Sequence, residues 1–193
     1  MKNMSETTLH ISKASFMMGV WGLAILVASM VNQWFTPPNT DFLLLMWGLA
    51  TLVGLGAHLI SMVKGLGLNL GAWIGVVLVG WGFTLYVIKL DNGAHMDMFG
   101  DMAGVWLILL GLGYVATAFQ VDKRFLIIAA LHLAAGVILE LSARRVVVVD
   151  AIDANSTLIF GLVGGLTLIV AALPFWYAPA RNSQQIAQSG LVR

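Results

Sequence analysis

Cysteine is absent and charge is scarce: of 193 residues none is Cys and only 10% are Asp, Glu, Lys or Arg. The missing Cys excludes disulfides, thiolate metal sites and thiol catalysis. A soluble globular domain carries roughly 25% charged residues. With 60% of this chain hydrophobic, a single aqueous core has no room for so much apolar surface. Net charge is +1, which gives no electrostatic case for a nucleic-acid partner. Proline is limited to Pro37, Pro38, Pro174 and Pro179, all at the ends of apolar runs, so the Pro-broken repeats of transporters are missing. So are G-x-x-x-x-G-K-[ST], the Rossmann fingerprint, H-E-x-x-H and G-x-S-x-G. The chain is read as a non-enzyme.

What is present is long apolar runs. A membrane helix needs roughly 20 mostly apolar residues. Six segments qualify: Ala14–Phe35, Phe42–Val63, Leu70–Ile88, Met102–Val121, Phe125–Ala143 and Thr157–Tyr177. In lipid a helix satisfies its own backbone, so the expected fold is an all-α integral membrane protein with six transmembrane helices. The expected layout is an N-terminal segment 1–13, a membrane domain 14–177 and a polar tail 178–193. The 13-residue leader and 22-residue first run are long for a signal peptide, so the first helix is expected to be retained. With the N-terminus cytoplasmic, seven basic residues lie inside (Lys2, Lys13, Lys64, Lys123, Arg124, Arg181, Arg193) and three outside (Lys89, Arg144, Arg145). The positive-inside rule then places both termini in the cytoplasm, in a plasma membrane or a bacterial or archaeal inner membrane.

The chain repeats itself. "WGLAILV" at Trp21–Val27 returns as "WGLATLV" at Trp47–Val53, and "GLG" occurs at Gly54–Gly56 and Gly111–Gly113. Each odd span is followed by a polar break and a Gly-rich even span, giving three hairpins. Together with "GVWLILLGLGYVATAF", "FGLVGGLTLIVAAL" and "LHLAAGVIL", this pattern resembles the HdeD-type acid-resistance membrane protein family over about residues 15–177. The charged second and third outer loops depart from it. The resemblance implies a multi-pass inner-membrane protein linked to stress tolerance, with no chemistry to carry over.

Gly71/Gly75, Gly100/Gly104 and Gly161/Gly165 have GxxxG spacing, which serves close helix packing within the bundle or at an oligomer interface. Ionisable groups at membrane depth are functional candidates, and here they are His58, His132 and Glu140. His58 and His132 fall roughly 8–10 Å from the same inner edge, the condition for two axial ligands of a b-type haem. The competing reading is two packing groups. Glu140 is read as an ion pair with Arg144 at i+4 in preference to a proton relay.

"KLDNGAHMDMFGDMAG" offers His95, Met96, Met98 and Met102 as soft ligands for copper. Asn92-Gly93 is a turn signal and Met also fills gaps, so a connecting loop is read first and a copper site second. The function expected is a non-catalytic accessory or structural subunit of a membrane assembly, or a stress-related membrane protein. Its expected partners are the lipid bilayer and other membrane subunits or its own copies, with no cofactor. The alternatives are a haem b electron-transfer subunit and a copper-handling protein.

Overall fold

The computed structural model describes residues 2–35, 40–62, 70–91, 98–120, 123, 125–146 and 149–173. Among these every regular element is helical: α1 (Lys2–Phe35), α2 (Thr40–Met62), α3 (Leu70–Asp91), α4 (Met98–Gln120), α5 (Phe125–Ala143) and the single turn α6 (Asp150–Asp153). One last helical run follows, made of α7 (Ser156–Phe160), a π-helical segment (Gly161–Leu166) and α8 (Thr167–Ala171).

Four helices are long and apolar enough to cross a bilayer: Ser15–Trp34, Gly71–Lys89, Asp101–Phe119 and Phe125–Ala143. This is the architecture of an α-helical membrane protein. The other two expected spans are shorter apolar helices, Leu44–Ile60 and Ser156–Ala171. The last run ends where it does for a local reason. Pro174 disfavours helical backbone at the residue before it, and the helix stops at Ala171. α1 is longer than expected and takes in most of the leader, because no Gly or Pro stands between Lys2 and Met18 to interrupt it.

α5 stops without Gly or Pro. Arg145 takes a left-handed φ of 56°, its N–H bonds the Ser142 carbonyl at 2.9 Å, and the Val146 N–H bonds the Leu141 carbonyl at 2.9 Å. These two bonds are those of a Schellman cap, with Arg where Gly is usual. α5 therefore ends at Ala143, before Val146.

Glycine decides which helices meet closely. α4 and α5 make the most extensive contact. A Cβ on Gly136 would lie 2.8 Å from the Gly104 carbonyl oxygen, and one on Gly111 would lie 2.7 Å from Leu133 Cγ. α1 packs on α2 on one side and on the last run on the other. There Gly22 and Gly165 face each other: a Cβ on either would come within 2.6 or 2.7 Å of the other's carbonyl oxygen. Ser29 sits directly on Gly161. Of the three GxxxG pairs, Gly161/Gly165 lies against α1 and Gly104 against α5, whereas a Cβ on Gly75 would meet nothing.

α2 and α3 are successive in sequence yet do not pack closely together. The bundle thus has an α1/α2 side and an α3/α4/α5 side, joined by the last run, with a gap between them. At one end the chain is tied by polar bonds. Asn32 Nδ2 donates to Thr157 Oγ1 (3.2 Å), Gln33 Nε2 to the Ala154 carbonyl (3.2 Å), and Ser142 Oγ to Asp153 Oδ1 (2.5 Å).

Candidate functional site

The gap is a cavity of about 130 Å³ between α1, α2, α3 and α4, closed at the back by Thr157, Phe160 and Leu168 of the last run. Trp21, Trp47, Trp73, Trp81 and Trp106 line it, five of the seven tryptophans in the chain. The sequence repeat explains two of them. Trp21 and Trp47 hold equivalent places in the two WGLA segments, and both face the cavity.

A ring this large needs a gap in the neighbouring helix and a partner for its N–H. Trp106 meets both needs on α3. A Cβ on Gly80 would lie 2.5 Å from its ring, and its Nε1 donates to Thr84 Oγ1 at 3.0 Å. Trp73 does the same on α4, beside Gly113 (3.3 Å from such a Cβ) and donating to Thr117 Oγ1 at 3.3 Å. In both cases the receiving helix carries Gly-x-x-x-Thr, because residues four apart share one helix face. Neither pairing is among the sequence-based expectations. Gly-x-x-x-Thr facing an intramembrane Trp is the signal that identifies them. Trp81 is different: its Nε1 donates to Thr51 Oγ1 at 3.1 Å, reaching from α3 to α2 across the gap.

A third glycine follows the pattern up to its last position. The Trp21 ring lies against Gly54 of α2, and four residues on, where the other two helices have Thr, stands His58. His58 is 4% exposed and lines the cavity, and its Nε2 is buried without a hydrogen bond.

His132 lies elsewhere. It is fully buried on α5, its Nδ1 is 2.8 Å from the Ile128 carbonyl, and its ring lies 5.1 Å from that of Tyr114. A carbonyl only accepts, so Nδ1 carries the proton and Nε2 the lone pair. That lone pair is 3.5 Å from Thr167 Oγ1, whose proton is directed to the Val163 carbonyl in the π-helical segment. His132 is not on the cavity lining; Tyr114 is, and Tyr114 touches His132. The structure therefore puts the two histidines in different surroundings.

Glu140 forms the expected i, i+4 ion pair, with Arg144 Nε 2.9 Å from Glu140 Oε2. Its Oε1 is buried without a hydrogen bond, 3.0 Å from where a Cβ on Gly104 would stand. Asp101, at the start of α4, is within electrostatic reach of both members of the pair.

His95 and Met96 lie outside the described residues. Met98 is the first residue of α4, and Met102, one turn on, lines the cavity. The connection expected to run to Met102 thus ends four residues sooner. Among the described residues, no three His, Asp or Glu side chains come together as a metal site. No protein-family model, curated protein or solved structure matches the chain.

Proposed function

We propose that this chain is a non-catalytic, six-crossing membrane protein with both termini in the cytoplasm, acting as an accessory or structural subunit. The observation that carries this reading is how its intramembrane polar side chains are used. Trp73–Thr117, Trp81–Thr51, Trp106–Thr84 and Asn32–Thr157 each join one helix to another. Polar side chains inside a membrane bundle act as such links. The three-hairpin resemblance to the HdeD-type family agrees with it, and so does the excess of basic residues on one side.

Two measurements test the reading. Thiols placed at Ser5 and Ser189 should be shielded from an impermeant reagent in intact cells, while thiols at Asn92 and Asn155 are labelled. The opposite pattern overturns the orientation. Native mass spectrometry from mild detergent should give an assembly heavier than the 20.7 kDa chain. A lone chain with turnover on some substrate overturns the accessory role.

The haem alternative ranks below this reading because His58 faces the Trp-lined cavity and His132 packs behind Tyr114. A Soret band in protein from a haem-replete host, lost in both His58→Ala and His132→Ala, would reverse the order. The copper alternative keeps Met98 and Met102 one helical turn apart, with Met102 turned inward. Stoichiometric copper lost on replacing His95, Met96 and Met98 together would restore it.

A further inference from the structure

We infer that the cavity between α2 and α3 is a binding site for a membrane-dissolved planar ring that carries a carbonyl or hydroxyl oxygen and an apolar tail, the form of an isoprenoid quinone. This goes beyond the accessory role and does not depend on it.

Four features define the guest. The first is size: the cavity holds about 130 Å³, and an apolar cavity of roughly 150 Å³ accommodates benzene. One ring fits in that space. The second is lining. Five indoles surround the space, and aromatic walls favour a flat guest through edge-to-face and offset contacts. The third is access. α2 and α3 line the cavity without packing on each other, so a tail can leave between them into lipid. Trp81–Thr51 is a hydrogen bond across that opening.

The fourth is polarity. A buried polar atom without a partner costs free energy, so one that persists in a cavity marks where a guest's polar atom binds. Two lining residues carry such an atom, Asn32 (Oδ1) and His58 (Nε2), and of these His58 has the nitrogen that can either donate or accept. It occupies the place where the two other Gly-x-x-x-Thr positions spend their side chain on an indole N–H. A neutral imidazole nitrogen donates or accepts according to its tautomer, so it receives a carbonyl or a hydroxyl equally well.

The test uses the full-length protein in detergent micelles, titrated with a decyl-substituted 1,4-benzoquinone and followed by tryptophan fluorescence. Wild type should show saturable quenching that dodecanol, a chain without the ring, does not reverse. His58→Leu should weaken binding about tenfold, the equivalent of one hydrogen bond. Ala50→Phe, which fills the cavity from α2, should remove the saturable phase. Leu78→Phe, on the outer face of α3 at 67% exposure, should leave it unchanged. If Ala50→Phe does not elute as folded protein, the contrast between His58→Leu and Leu78→Phe decides. Non-saturable quenching in wild type, equal binding by His58→Leu and wild type, or full displacement by dodecanol would each overturn the inference.

Discussion

Trp81 Nε1 donates to Thr51 Oγ1 at 3.1 Å between two helices that otherwise stand apart. Thr51 Oγ1 in turn donates to the Trp47 carbonyl at 2.9 Å, so a single hydroxyl links the Trp81 indole to the α2 backbone. A hydroxyl has one proton to give and two lone pairs to accept with, and this arrangement uses both roles. The bond holds the Trp-lined space at a fixed width in place of direct packing.

Thr51→Val removes that acceptor at nearly constant volume. The expected cost is about 0.6 kcal/mol, the average for a hydrogen bond within a membrane bundle. Trp81→Phe should cost a similar amount in lost bonding, and the double variant should be no worse than the larger single, because both remove one interaction. Unfolding measured in bicelles checks the cycle, and full additivity would show that the bond contributes nothing.

Gly22→Ala or Gly165→Ala should destabilise the protein by roughly 1–3 kcal/mol, since the new methyl meets a backbone carbonyl that cannot move aside. A methyl on Gly48 or Gly82 would meet nothing within 4 Å, so Ala there should be neutral or stabilising by up to about 1 kcal/mol. Thermal unfolding of the four variants should separate into these two pairs.

Arg145→Gly should raise stability by roughly 1 kcal/mol, because the left-handed backbone at φ 56° costs an L-residue about that much and Gly nothing. Arg145→Val should lower it, since a branched side chain fits that conformation worst. Equal stability of the three proteins would mean that α5 does not end in this cap.

His132→Ala and His58→Ala should affect stability independently. His132 is fully buried against Tyr114, so its loss opens a hole and should cost roughly 2–4 kcal/mol. His58 already borders an open space, so its loss should cost less, under about 1 kcal/mol. The two effects should add, as for separate sites. Strong non-additivity would indicate that one bound group joins them.

The amino-acid sequence by itself determined that the chain is helical and apolar enough for a membrane, because charge scarcity and run length are local properties that no packing alters. It also determined the Glu140–Arg144 pair, since residues four apart on a helix are neighbours whatever surrounds them. The end of the last run at Ala171, three residues before Pro174, was not read from the sequence: the expected span ran on to Tyr177, and residues 174–177 lie outside the described residues. Tertiary structure decided everything that depends on which faces meet. Equal depth of His58 and His132 in a linear reading says nothing about rotation around each helix axis, and the packing sent one to the cavity and the other behind Tyr114. The same holds for the tryptophans. Their number is plain in the sequence, but the seating of Trp21, Trp73 and Trp106 follows from glycines on partner helices that let the rings in, and that is a property of pairs of helices and not of any one of them.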